Sequence, residues 1–164
     1  MQVNDIINRA LGSAQVSSTR ELLGMSREDG KQPDGQTLVP WKEGMCMTWD
    51  YTCRDTLALS NVDLCTESAG KAAERAEKDK ISKYAGLTNE FIFIPVANET
   101  FGAWAPDSLK FIVEVGSRIT AINGDKNSTY YLFQRISMAT QRGNIISIKG
   151  CLKNPKTLHE LSYL

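Results

Sequence analysis

Histidine is almost missing from this chain: His159 is the sole example, and Cys46, Cys53, Cys65 and Cys151 show no CxxC spacing. Structural zinc sites need four such ligands, ordinarily in closely spaced pairs, so that class is set aside. The cysteines are expected to be free thiols in a reducing compartment. Long apolar runs are also missing, and nothing approaches the roughly 18 residues of a membrane span. The start, MQVNDIINRALGSAQ, has neither the basic end nor the apolar stretch of a secretory signal. The expectation is therefore an intracellular protein without a membrane partner, in which the sequons at Asn98 and Asn127 are accidental. Charge imbalance is the third absence, because Lys+Arg and Asp+Glu both number 19. A stand-alone, tight DNA binder usually carries a positive excess. A nuclease core is not excluded, since bound metal can neutralise phosphate and neighbouring domains can supply affinity.

What is present suits one globular domain. The chain has 164 residues, of which 41% are hydrophobic, enough for a buried core but not for two comfortable domains. Asn4 or Asp5 is placed to cap a helix carrying Ile6, Ile7, Ala10 and Leu11 at helical spacing. Val16 to Leu22 is a candidate strand, and Ser26 to Gly35 is a loop dense in turn formers. Thr37 to Trp41 and Met45 to Cys53 read as a hairpin around Lys42 to Gly44, with Pro40 at an edge or bulge. Glu67 to Tyr84 is rich in Ala, Glu and Lys. Its i,i+4 pairs Glu67–Lys71 and Glu74–Lys78 predict one helix.

Phe91 to Ala97 is a nearly continuous apolar run and predicts a strand buried on both faces. Helices over Ser108 to Ile122 and Ser128 to Ile146 follow, and Lys153 to Leu164 reads as a loosely ordered tail after a domain spanning 1–152. The order helix, three strands, helix, strand, two helices predicts an α/β fold with a mixed central sheet covered by helices. No repeat, low-complexity tract or linker interrupts it.

Two acids stand out. Asp34 follows a proline just before a strand, and Asp50 lies inside the apolar run MCMTWDYTC. A mid-strand carboxylate is costly unless it is paired, coordinates a cation or faces solvent. Alternation leaves the last escape open, with Trp49 and Tyr51 inward and Asp50 outward. Pro-Asp-Gly is equally a common turn. If the strands pair as a hairpin, both carboxylates reach one end of the sheet. Their mutual repulsion is then relieved by a hard divalent cation such as Mg²⁺. Glu21 is either a further acidic ligand or a solvated strand-end charge. Lys80 and Lys83 are by composition the polar face of a helix. Gln134 and Arg135 offer phosphate contacts or simply a polar stripe, and the three tryptophans read as core.

The segments KQPDGQTLVPW, MTWDYT and KISKYAGL together resemble the restriction-like, PD-(D/E)xK-type endonuclease domain of non-LTR retrotransposon polyproteins. STRELLGMSREDG and LFQRISMATQRGN are similar to blocks of the same retroelement reading frames. The resemblance spans about residues 4–150. It implies a restriction-endonuclease-like core and metal-dependent nicking of DNA that leaves 3′-hydroxyl and 5′-phosphate ends, with Mg²⁺ or Mn²⁺ as cofactor. It also implies nuclear action and fusion to reverse transcriptase and Cys/His-knuckle modules not found here, as in a truncated copy. By the same resemblance Asp34, Asp50 and Glu21 become metal ligands. Lys80 or Lys83, with Tyr84, becomes the basic and aromatic partner; Lys31, with Gln134 and Arg135, is a candidate nucleic-acid contact. One departure is plain: two residues after Asp50, where the pattern has lysine, this chain has Thr52. The implied alternative is a catalytically inactive remnant serving as a nucleic-acid-binding or scaffold module.

Overall fold

A computed structural model of the chain describes residues 2–20, 32–87 and 90–151. Its elements run α1 (Gln2–Ser13), β1 (Ser18–Thr19), β2 (Gly35–Thr37), β3 (Met47–Arg54), α2 (Leu59–Glu67), α3 (Lys71–Lys83), β4 (Ile92–Glu99), α4 (Pro106–Asn123) and α5 (Ser128–Cys151). The strands form one sheet in the order β1-β2-β3-β4. β1, β2 and β3 pair antiparallel, whereas β3 and β4 pair parallel along eight residues, from Met47↔Ile92 to Arg54↔Glu99. The α/β class and the mixed sheet are as expected, with the crossover through α2 and α3 creating the parallel pair. No described helix is long and apolar enough to cross a membrane.

Alternation along β3 divides the molecule. Met47, Trp49 and Tyr51 point to one face, where they meet Ile7 and Leu11 of α1, Ile112 and Val115 of α4, and Leu132 and Ile136 of α5. This is the main core, and each such large side chain contributes roughly 1.5–3 kcal/mol on burial. Trp41 and Trp49 are buried there and Trp104 packs against it, so the tryptophans are core. The opposite face is covered by α3 through a small-residue contact: Ala73 and Ala76 against Ala97 and Ala105.

Several boundaries differ from expectation for physical reasons. The hairpin exists but its strands are shorter. Only Gly35–Thr37 pairs with β3, and the chain then turns tightly at Lys42–Met45 with Glu43 and Gly44 both at positive φ. Gly35 opens the strand rather than closing a turn, and the Trp49 indole lies directly over it. The expected helix from Glu67 is two helices. Gly70 takes a left-handed φ of 90° and starts α3, so Glu67 and Lys71 do not share a helix, while Glu74–Lys78 is an ion pair at 2.8 Å. Helix α2 buries none of its residues, which explains why no periodicity announced it. The strand candidate 16–22 reduces to Ser18–Thr19 among the described residues, and the tail 153–164 lies outside them. Asn98 of one sequon is buried, bonded to Tyr51 and Thr140, and so is closed to modification.

Candidate functional site

Helix α3 presents Ala73, Ala76, Glu77, Lys80 and Tyr84 to the sheet at i, i+3, i+4, i+7 and i+11 spacing. The helix's three alanines, Ala72, Ala73 and Ala76, are all buried and let it lie close, so long polar side chains from the same stripe reach the strands. Lys80 is therefore on the sheet-facing stripe and not on the solvent face that composition indicated.

Asp50 receives two of these side chains. Its Oδ1 accepts from the Tyr84 hydroxyl at 3.1 Å, and its Oδ2 is ion-paired with the Lys80 ammonium. Among the described residues no neutral donor reaches Oδ2; the ammonium alone faces it. The Asp50 side chain is 6% exposed and that of Lys80 is 21% exposed. Burial thus settles the open question of the strand: Asp50 is not a solvated charge, and a paired cation offsets its desolvation. The Tyr84 hydroxyl shares its single proton between Asp50 and the Gln32 carbonyl, 2.9 Å away, and accepts from Lys83 Nζ at 2.9 Å. The ring is fully buried and tilts against Phe93 at 4.7 Å between centroids, which fixes where the hydroxyl stands.

Asp34 grips β3 beside Asp50. Register pairs Gly35 with Trp49 and Gln36 with Thr48, so one step further sets Asp34 across from Asp50. Its N–H donates to the Trp49 carbonyl at 2.8 Å, and its Oδ2 accepts the Tyr51 N–H at 2.7 Å. The carboxylate takes a backbone donor that β2 leaves open where the strand ends. Asp34, Asp50, Lys80, Lys83 and Tyr84 are hence gathered at one place, joined by Gln32, which sequence reasoning missed because a main-chain carbonyl leaves no residue signature.

Two further buried acids share this face of the sheet, and their chemistry differs. Glu99 Oε1 accepts the Ala72 and Ala73 N–H groups at 3.0 and 3.4 Å, capping α3. Glu77 Oε1 accepts the Ser108 N–H at 2.6 Å and the Ser108 hydroxyl at 2.5 Å, while Oε2 faces the Asp107 N–H at 3.4 Å, capping α4. A carboxylate at a helix N-terminus satisfies orphan donors and meets the positive end of the dipole. Both acids are structural caps that the sequence did not announce, because their partners are backbone groups distant in the chain.

Other candidates stand elsewhere. Gln134 and Arg135 are exposed on α5, whose buried residues join the Trp49 face, so the structure does not bring them to Asp50. Glu21 and Lys31 lie outside the described residues. A groove of about 770 Å³ runs between the end of β3 and the last turns of α5, lined by Tyr51, Cys53, Leu57, Phe101, Ile145 and Ile148 among others. It contains none of the candidate residues, and burial pushes both the Tyr51 phenol and the Cys53 thiol up, away from reactive forms. All four cysteines are free thiols, as expected.

No group of three or more His, Cys, Asp or Glu side chains able to hold a metal is found among the described residues. Asp34 Oδ2 is taken by the Tyr51 N–H and the two oxygens of Asp50 by Tyr84 and Lys80, so a cation held by this pair would have to compete with those partners. No family model, no curated protein and no solved structure matches this chain.

Proposed function

We propose that the chain is a metal-dependent DNA endonuclease domain of the restriction-like type, derived from a non-LTR retrotransposon and acting on nuclear DNA beside reverse transcriptase and knuckle modules. The observation that carries the reading is the Lys80–Asp50–Tyr84 cluster with Asp34 across the register. The pattern's missing lysine at Thr52 is thereby answered by an ammonium from α3 at the second acid.

Asp34 and Asp50 would hold Mg²⁺ or Mn²⁺, which supplies phosphodiester polarisation and an activated water when bound. Lys80, the cation paired with Asp50, would counter charge that develops on the reacting phosphate. Tyr84, anchored by the Gln32 carbonyl, fixes the orientation of Asp50, and Lys83 polarises the Tyr84 hydroxyl. The products are 3′-hydroxyl and 5′-phosphate ends. With formal charge balanced at zero, affinity for DNA has to come mostly from attached modules.

A second reading, a catalytically inactive remnant acting as a nucleic-acid-binding or scaffold module, is favoured by one observation. Both oxygens of Asp50 are already engaged, which by itself is what an internal brace between α3 and β3 requires. A plasmid-nicking assay with Mg²⁺ or Mn²⁺ separates the two. Asp50→Ala is expected to lower metal-dependent nicking at least about a hundredfold. Equal nicking by wild type and variant, or none by either, leaves the scaffold reading.

A further inference from the structure

We infer that Lys80 is the resident counter-ion of Asp50, and that divalent-metal loading is an exchange in which its ammonium leaves Oδ2 and turns to solvent. The inference rests on the metal-dependent reading above and extends it to how the site is loaded.

The three buried acids on this face have different kinds of partner. Glu77 and Glu99 are held by main-chain N–H groups of helix N-termini, which cannot leave without unwinding a helix. Asp50 is held by two side chains. One of these, Tyr84, is fully buried and pinned through its hydroxyl to the Gln32 carbonyl. The other, Lys80, carries its charge on a flexible four-carbon stem, retains 21% exposure and sits in the last turn of α3. Such a side chain can swing its head into water while the stem stays on the helix surface.

Ligation through Oδ2 therefore requires Lys80 to depart, and the charge arithmetic supports the exchange. A carboxylate this buried needs compensating partners, and Asp50 meets a lysine ammonium where Glu77 and Glu99 meet helix N–H groups. The ammonium supplies one charge, and a divalent ion supplies two to a pair of acids. Once displaced, the ammonium remains beside the site, available to an anionic ligand. The ion pair thus raises the concentration of metal needed to fill the site.

The test is equilibrium binding of Mn²⁺ to the full chain, read from the paramagnetic resonance of the free ion. Lys80→Gln and Lys80→Met are expected to bind Mn²⁺ about tenfold more tightly than wild type, equivalent to about 1.4 kcal/mol. Asp50→Asn is expected to bind at least tenfold more weakly. Lys110→Gln, at an exposed pair with Asp107, is expected to leave binding unchanged. Mn²⁺ should also raise the Tm of Lys80→Met more than that of wild type, by linkage.

Wild-type or weaker affinity in folded Lys80→Gln and Lys80→Met overturns the exchange; if Asp50→Asn still loses Mn²⁺, the metal-dependent reading survives it. Failure of wild type and both lysine variants to bind millimolar Mn²⁺ overturns exchange and metal-dependent reading together. Should the neutral variants unfold, Lys80→Arg retains the charge. Its guanidinium holds a carboxylate more firmly and should weaken Mn²⁺ binding several-fold, so equal or tighter binding would refute the exchange.

Discussion

Removing the carboxylate of Glu77 is the most demanding test of how this fold is held. Glu77 is 4% exposed and takes the Ser108 N–H at 2.6 Å, the Ser108 hydroxyl at 2.5 Å and, more weakly, the Asp107 N–H at 3.4 Å. Ala105, the residue before α4, gives that helix no side-chain cap, so this remote acid is the cap. A hydrogen bond to a charged group contributes about 1.5–3 kcal/mol net, and a buried donor left unsatisfied costs about 1–3 kcal/mol. Glu77→Ala removes the acceptor from two strong bonds and opens a cavity, so a loss of about 3–5 kcal/mol is expected. Glu77→Gln keeps an acceptor and loses the charge, and about 1–2 kcal/mol is expected. For a chain of this size, each kcal/mol lowers Tm by about 2–4 °C, giving a drop of about 10 °C for the alanine variant. Urea unfolding followed by tryptophan fluorescence and far-ultraviolet circular dichroism reads both values. Ser108→Ala in the same background should be strongly non-additive with Glu77→Ala. A loss below about 1 kcal/mol for Glu77→Ala, or simple additivity with Ser108→Ala, would refute the assignment of this acid as the α4 cap.

Two further outcomes follow from the geometry. A Cβ at Gly35 would lie 2.1 Å from Cζ2 of the buried Trp49 indole, so Gly35→Ala should cost about 1–3 kcal/mol and shift tryptophan emission, whereas Gly12→Ala, with nothing near, should be neutral or stabilising; matching stabilities in urea would contradict the strand packing. The Glu74 carboxyl is held below its ordinary value by hydrogen bonds from Lys78 and Lys71. A depressed acid contributes stability above its unfolded-state value and loses it as pH falls through the folded one. Stability should therefore decline as pH drops below about 4.3, and Glu74→Gln should flatten that part of the pH profile in circular dichroism melts.

The elements with strong periodicity were legible: α1, α4 and α5 carry apolar stripes, and the run 91–97 supplies most of β4, although that strand extends to Glu99 and is only half-buried over Ile92 to Ile94. Where legibility failed, the deciding interaction was non-local. Glu67 to Tyr84 reads as one helix locally, but Gly70 turns left-handed and Glu99, far along the chain, caps a new start there. Lys80 shows the same limit. Its neighbours in sequence are charged and suggest solvent, yet the alanine stripe beneath it brings that face onto the sheet. Asp50 was legible as an anomaly, because a charge within an apolar strand has few places to go. Its partners came only through the resemblance, as Lys80 or Lys83 with Tyr84, because both stand at the end of one helix within the crossover.

What distinguishes Asp50 from the other acids is the kind of charge that balances it. Burial alone does not single it out, because Glu77 and Glu99 are as deeply placed on the same face. A backbone amide is a fixed dipole, tied to a helix that cannot be rearranged cheaply, and an acid bound to it is committed to structure. A lysine ammonium is a mobile charge, and an acid bound to it can trade that partner for another cation while the fold stays intact. Asp34 adds to the contrast, since it secures the neighbouring backbone at Trp49 and Tyr51 and so would hold β3 still in the proposed exchange. A rigid strand, one anchored phenol and one flexible amine are the parts the proposed cation exchange would require, and on this sheet they coincide at Asp50.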